Sequence, residues 1–329
     1  MKPFVCLGIE STAHTFGAGI VDSTGKVLAN VKHTFTTDHG GIHPAKAKEH
    51  HLEHKDTIVE EALKNAGITL KEINLISFSQ GPGIAPCLLV GMHKAKEIAA
   101  LADVPLVGVN HCIAHLEIGR IQTKAKDPVL LYVSGANTQV IAYDGGKYRI
   151  FGETLDNGVG NFLDAFARHL GFGFPGGPKI EEFAKKGKEY IALPYVVKGM
   201  DISVGGILTN LKQKYDSKKF STEDLCFSMQ ETVFAMLVEV AERAMAHCGK
   251  QELVLGGGVA CNARLQEMCS IMCEERNAAF FVPEKQFLLD NGAMIAWQGV
   301  LQQRRATKKY DSIDITPYQR TDDIAVDWR

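Results

Sequence analysis

Two stretches of the chain carry the same pattern of apolar and polar positions: Cys6 to Val31 (CLGIESTAHTFGAGIVDSTGKVLANV) and Leu130 to Thr154 (LLYVSGANTQVIAYDGGKYRIFGET). In each, short apolar or alternating runs are broken by Gly, Ser, Thr and Asp, which reads as strand, polar turn, strand, Gly-Lys turn, strand. Asp22-Ser-Thr-Gly25 and Asp144-Gly-Gly146 serve as the hairpin turns. The chain therefore reads as a duplication. Helical periodicity follows each copy, over roughly 45–66 and 86–102 in the first half and roughly 159–170, 179–188, 221–248 and 259–275 in the second. Buried strands near 73–79, 105–109 and 252–256 interleave with these helices, so a mixed sheet covered by helices is expected in each half. The mild linker Lys124-Ala-Lys-Asp-Pro128 divides the chain into residues 1–126 and 127–300. Residues 301–329, with Asp322, Asp323 and Trp328, read as a tail of uncertain order.

The 329 residues exceed what one hydrophobic core usually serves, and 45% apolar with 22% charged residues is ordinary globular usage. The eight cysteines form no C-x-x-C pair, which fits reduced thiols in a cytoplasmic protein. No leader-like segment precedes the first strand, and no apolar run is long enough to span a membrane. A net charge of −2 argues against a freestanding nucleic-acid binder. The clusters Lys185/Lys186/Lys188, Lys212/Lys214/Lys218/Lys219 and Arg304/Arg305/Lys308/Lys309 read as solvated faces, so a large polyanionic substrate would need partner subunits to hold it.

The candidate chemistry begins at His111-Cys-Ile-Ala-His115, which puts two imidazoles on one helical face. Asn110 can cap that helix, and the apolar strand Leu106 to Val109 delivers it to a sheet end where ligands collect. Asp290, in an Asp-Asn-Gly turn, is the distant carboxylate; imidazole with carboxylate suits iron, zinc or manganese. A second spaced pair, His50 and His54 in KEHHLEHK, reads as a solvated helix face, with His51 or Glu53 open to substrate or a partner. His14 and His43 lie in Gly-rich turns as candidate pocket residues. His33, His39, His93, His169 and His247 receive no role. The turns Glu10-Ser-Thr-Ala-His14, Ser134-Gly-Ala-Asn-Thr138 and Gly256-Gly-Gly-Val-Ala-Cys-Asn262 follow strands and suit phosphate oxygens, although neither a Walker nor a Rossmann glycine pattern occurs. Apolar positions around Leu52 to Leu63 and Leu88 to Ile98 read first as core packing and second as a docking surface.

Seven segments together carry a family resemblance: HCIAH from His111, LYVSGANTQV from Leu131, FGETLDNGVGN from Phe151, FPGGPKIE from Phe174, LPYVVKGMD from Leu193, GGGVACNARL from Gly256 and DNGAMIA from Asp290. On these the chain resembles the archaeal and eukaryotic branch of the tRNA threonylcarbamoyladenosine synthase catalytic subunit, the ATPase-like component of the KEOPS complex. The similarity runs from the first strand to about residue 300. It implies an α/β fold of the actin-like, sugar-kinase and Hsp70 class, two lobes around a nucleotide cleft. It implies transfer of a threonylcarbamoyl group from threonylcarbamoyl-adenylate to N6 of the adenosine 3′ of the anticodon in tRNA, with release of AMP.

The resemblance further implies that His111, His115 and Asp290 ligate a metal, iron before zinc or manganese, with the phenol of Tyr132 near or on it. It implies that ATP or the adenylate is held by Tyr132, Val133, Ser134, Gly135 and Ala136 together with Asp164, Gly177, Glu181 and Asn262. Its implied partners are tRNA, a small kinase-like ATPase and a dimerising subunit. Two departures stand out: Ala136 where relatives commonly have Gly, and Asp201-Ile-Ser-Val-Gly-Gly206 where they often carry Ser-Phe-Ser-Gly. A non-catalytic ATP-binding scaffold is the competing reading. A metalloprotease is a weaker one, because no glutamate lies inside the histidine pair.

Overall fold

The computed structural model describes residues 4–38 and 41–329, so His39 lies outside the described residues. The first sheet contains β1 (Val5–Glu10), β2 (Thr15–Asp22) and β3 (Val27–Thr34), with α1 (Pro44–Ala66) next in the chain. It continues through β4 (Leu75–Gly81), α2 (Ala85–Ala102), β5 (Leu106–Asn110) and α3 (His111–Thr123). The second sheet begins with β6 (Val129–Val133), β7 (Thr138–Asp144) and β8 (Lys147–Glu153). Then come α4 (Val159–His169), α5 (Gly177–Ala184), a small hairpin β9 (Val197–Lys198) and β10 (Asp201–Ile202), α6 (Gly205–Asp216) and α7 (Thr222–Cys248). The chain closes through β11 (Glu252–Gly256), α8 (Ala263–Glu275), β12 (Ala279–Phe281), α9 (Lys285–Leu288) and α10 (Gly292–Leu301).

Strand order makes the duplication explicit. The first sheet runs β3-β2-β1-β4-β5 and the second β8-β7-β6-β11-β12. In both, the first three strands in sequence pair antiparallel, and the two later strands pair parallel. Corresponding strand ends thus occupy corresponding places, and the carboxyl ends of parallel strands are where open α/β sheets collect ligands.

Helix α10 reaches the first sheet although it follows the second in sequence. Residues Gly292 to Val300 are all buried. A Cβ on Gly19 would lie 2.1 Å from the Ala293 backbone nitrogen, and one on Gly8 2.2 Å from that of Ala296. Glycine at those strand positions lets the helix rest directly on sheet backbone. The helix is capped by Asn291, whose Oδ1 accepts the Met294 N–H at 2.9 Å, and this cap fixes the direction of the neighbouring Asp290.

Two expectations are corrected. Helix 259–275 is interrupted: a short 3₁₀ turn, Gly258–Cys261, precedes α8, and Asn262 caps the latter. The 50–54 stretch is not a solvated face, because His50 and His51 are buried. The tail, whose order the sequence left open, is tied down: Thr307 bridges to Leu106, Ala325 bridges to Lys147, and Trp328 Nε1 donates to Glu117 Oε1 at 2.8 Å. Core packing accounts for Ile58, Val59, Leu88 and Ile98, which are buried, while Leu52 and Leu89 stand exposed. The eight cysteines are free thiols. No helix among the described residues is long and apolar enough to cross a membrane.

Candidate active site and metal centre

Four elements deliver the central cluster. Strand β1 ends in Glu10 and β5 ends in Asn110, whose Oδ1 accepts the Ile113 N–H at 3.1 Å and so starts α3 at His111. One helical turn on, His115 lies beside His111, their ring centroids 4.8 Å apart. Strand β6 brings in Tyr132, and the turn between α9 and α10 brings in Asp290. Both imidazoles aim Nε2 at one oxygen: Asp290 Oδ1 is 3.5 Å from His111 and 3.3 Å from His115. The Tyr132 hydroxyl lies 3.1 Å from His111 Nε2.

The other nitrogen of His111 is already engaged. Its Nδ1–H donates to Glu10 Oε2 at 2.9 Å, a bond in which the carboxylate can only accept. Glu10 is itself held, its Oε1 accepting from the Thr12 backbone at 2.7 Å and from Thr12 Oγ1 at 2.5 Å. A carboxylate behind a histidine fixes the ring's tautomer and leaves Nε2 for a cation. The ligand atoms of His111, His115 and Asp290 lie within 4.8 Å of one another, so the donor set fits one imidazole- and carboxylate-binding ion.

The charges are strongly coupled. Burial disfavours protonated His111, yet Glu10 and Asp290 outweigh it and hold the imidazole well above its usual range. Burial likewise opposes ionised Asp290, but hydrogen bonds from His111 and His115 hold its carboxyl well below the usual range. His115 is pulled down by burial and by the neighbouring His111 charge, against the attraction of Asp290. Burial pushes the Tyr132 phenol well above its ordinary value, which keeps it a hydrogen-bond donor. Lys32 of β3 donates to the Asp290 carbonyl at 2.9 Å.

The expected nucleotide contacts fall around the second sheet. Val133 is buried at the end of β6; Ser134 closes the turn through its N–H and Oγ, both bonded to the Asn137 carbonyl at 2.9 Å. Gly135 and Ala136 form the exposed tip of that turn. Asp164 accepts the Gly176 N–H at 2.7 Å, and burial raises its carboxyl despite that bond. A Cβ on Gly177 would meet nothing within 4 Å, so backbone at the start of α5 faces open space. Glu181 pairs with Lys185 at 2.9 Å. Asn262 is spent on structure: Oδ1 caps α8, and Nδ2 donates to Gln230 at 2.6 Å. His14 stands half-buried, edge-on to Phe174.

Glu10 and Lys32 were missed by sequence reasoning as parts of this cluster. Glu10 left one signal, a carboxylate closing a strand whose other residues are apolar or Gly (VCLGIE) and which is buried throughout.

Solved structures share the architecture. Full-length HypF in its phosphate- and nucleotide-bound form aligns over 92% of this chain and 56% of its own, with TM-score 0.63 and 14% identity. Component A of the Acidaminococcus fermentans (R)-2-hydroxyglutaryl-CoA dehydratase aligns over 92% and 99%, with TM-score 0.59 and 13% identity. At such identities the likeness speaks to the fold, which is the two-lobed actin-like α/β class. Sequence relatives are far nearer. The tRNA N6-adenosine threonylcarbamoyltransferase of Thermococcus kodakarensis is 54% identical over 98% of this chain and 99% of its own. A probable bifunctional tRNA threonylcarbamoyladenosine biosynthesis protein of Methanosarcina mazei is 51% identical over the whole of this chain, which spans 60% of that protein. The model of the TsaD family, tRNA N6-adenosine threonylcarbamoyltransferase, matches residues 26–297, and the chain belongs to that family.

Proposed function

We propose that this chain transfers a threonylcarbamoyl group from threonylcarbamoyl-adenylate to N6 of the adenosine 3′ of the anticodon in tRNA. The observation that carries the reading is the convergence of His111, His115 and Asp290 beside a second-sheet turn with an exposed Gly135–Ala136 tip. The N6 nitrogen attacks the carbamoyl carbon, the bond from that carbon to the phosphate oxygen breaks, and AMP leaves with the electron pair while the amine loses a proton. His111, His115 and Asp290 would hold the cation, iron first and zinc or manganese otherwise, with the Tyr132 hydroxyl close to His111 Nε2. When bound, the ion supplies Lewis-acid polarisation of the acyl-phosphate oxygens.

The residues of the chain do the positioning. Glu10 holds His111 in one tautomer, so its Nε2 keeps a fixed direction. The Gly135–Ala136 tip and the backbone at Gly177 offer donors to phosphate and ribose oxygens, and Asp164 lies next to that backbone. Val133 and Ser134 set the turn, and Glu181 and Asn262 line the approach from α5 and α8. The setting is cytoplasmic, and the chain works with a small kinase-like ATPase and a dimerising subunit. A net charge of −2 supports sharing tRNA among subunits.

The test replaces the cell's own copy with His111→Ala or His115→Ala and measures threonylcarbamoyladenosine in tRNA by nucleoside mass spectrometry. We expect at least a hundredfold loss of the modified nucleoside while the variants remain folded and abundant. Unchanged modification would instead make the chain a nucleotide-binding scaffold.

A further inference from the structure

A second cluster of imidazoles lies on the outer side of the first sheet, away from the central site. Along edge strand β3, Ala29, Val31 and His33 follow one another at the two-residue spacing of one sheet face. Along α1, His50, His54, Ile58 and Ala62 follow at the four-residue spacing of one helix face. Ala29, Val31, Ile58 and Ala62 are buried in one core cluster, so strand and helix meet along an apolar seam. At the amino end of α1 that seam is closed by imidazoles in place of aliphatic side chains.

The three rings are packed against one another, each with a nitrogen close to the other two. His33 stacks on His54 with centroids 3.8 Å apart, and His50 lies 4.6 Å from His54. His33 Nδ1 and His50 Nε2 are 2.6 Å apart, and one ligand nitrogen from each of the three rings falls within 4.8 Å of the other two. His50 is anchored from behind: its Nδ1 lies 3.1 Å from Nδ1 of the fully buried His51, which packs edge-on against Phe16. That is the arrangement in which a ligating histidine has its outer nitrogen held and its inner one presented. Two nitrogens on one tetrahedral zinc lie about 3.3 Å apart, given zinc–nitrogen bonds of about 2.0–2.1 Å. Ligation would open the His33–His50 pair by roughly 0.7 Å and turn the His33 ring out of its stack on His54, a rearrangement that the exposed position of His33 on a strand edge leaves room for.

We propose that His33, His50 and His54 form a second transition-metal site, a three-imidazole site for zinc or a similar borderline divalent ion, which fastens edge strand β3 to α1. Three neutral imidazoles select such ions over magnesium or calcium, which take oxygen ligands. The exposed His33 side leaves a coordination position for water. The site also bears on the central one mechanically, because the residue before His33 is Lys32, which donates to the Asp290 carbonyl at 2.9 Å. The proposal does not depend on the function proposed above, since neither His33 nor His54 belongs to the central cluster.

The experiment uses the full chain without a histidine tag, stripped with chelator and dialysed against micromolar zinc chloride, with bound zinc counted by elemental analysis. Wild type should take up two equivalents, His33→Ala/His54→Ala one, His111→Ala/His115→Ala one, and the fourfold variant none. With cobalt as probe, the His111→Ala/His115→Ala protein should show the visible absorption of a tetrahedral Co²⁺ site, and adding His33→Gln should weaken that binding at least tenfold. Zinc should raise the thermal midpoint of the His111→Ala/His115→Ala protein and leave that of the fourfold variant unmoved. His33→Gln, at an exposed position, reads the same loss should the double variant fold poorly. Zinc uptake that His33→Ala/His54→Ala leaves unchanged, whether wild type holds one equivalent or two, overturns the second site. Loss confined to the equivalent that needs His111 and His115 would instead count against the central one.

Discussion

At His111 a proton would compete with the proposed metal ion for one nitrogen. Its Nδ1–H points at Glu10, and its Nε2 points at Asp290 and Tyr132. Glu10 and Asp290 favour the protonated imidazole and hold it well above its usual range, so an entering cation would compete with the Nε2 proton. We expect uptake by the metal-stripped chain to release about one proton per ion at the central site. As pH rises through the raised value the competition fades, so affinity climbs across that window. Glu10→Gln removes the larger of the two attractions that favour the proton; fewer protons are then released at pH 7, and the climb moves to lower pH. The loss of ring orientation should still weaken binding about 10–100-fold. Calorimetry in buffers of different ionisation enthalpy measures both, and identical proton release in the two proteins would contradict the assignment. His111 and His115 were legible in the sequence because a helix puts residues four apart on one face. Glu10 was not, because 101 residues separate it from His111 and only the pairing of β1 with β4, and of β4 with β5, brings them together.

At the scale of elements, legibility followed periodicity. The two hairpin sets, short apolar or alternating runs broken by turn residues, were readable, as were α1, α2 and α7. Helix α10 (GAMIAWQGVL) was not, because a helix buried on every side has no polar face to reveal its period. The histidine-rich turn of α1 misled in the opposite sense: polar residue types suggested solvent, whereas the helix turns His50 and His51 inward toward β3 and Phe16. The contact between α10 and β2 has a sharp consequence. A methyl at Gly19 would press on the Ala293 backbone, which has no rotamer with which to yield. Gly19→Ala should therefore cost at least about 2–3 kcal/mol in urea unfolding. Gly177→Ala meets open space and adopts an ordinary helical conformation, so its stability should stay within about 0.5 kcal/mol of wild type. Equal stability of the two variants would mean that α10 does not rest on the sheet as described. A Gly177→Ala chain that unfolds normally but binds adenylate more weakly would support the cleft at α5.

Over the whole molecule, the last residues act as a strap between the halves. From the end of α10 the chain crosses the edge of the first sheet, where Thr307 pairs with Leu106, and reaches the edge of the second, where Ala325 pairs with Lys147. There Arg329 lies over Tyr143, 4.5 Å from the ring centroid, and Trp328 Nε1 donates to Glu117 of α3. Glu117 is a buried carboxylate that also takes Arg120 as an ion pair at 2.6 Å and the hydroxyl of Tyr148 from β8. One oxygen, Oε1, accepts from both Tyr148 and Trp328, so strap, second sheet and the helix that carries His111 and His115 meet on a single atom. This network was not legible in the sequence: Ile324, Val326 and Trp328 alternate, but the run is short and the partner of Trp328 lies 211 positions away. Trp328→Phe keeps most of the ring and removes the donor, and should cost roughly 1.5–2 kcal/mol, the value of a hydrogen bond to a charged group. Tyr148→Phe should cost a similar amount. Because each loss leaves Glu117 more dependent on the remaining donor, the double variant should depart from additivity by about 1 kcal/mol. Urea titrations of the four proteins close that cycle; agreement with additivity to within about 0.3 kcal/mol would detach the strap from the carboxylate network.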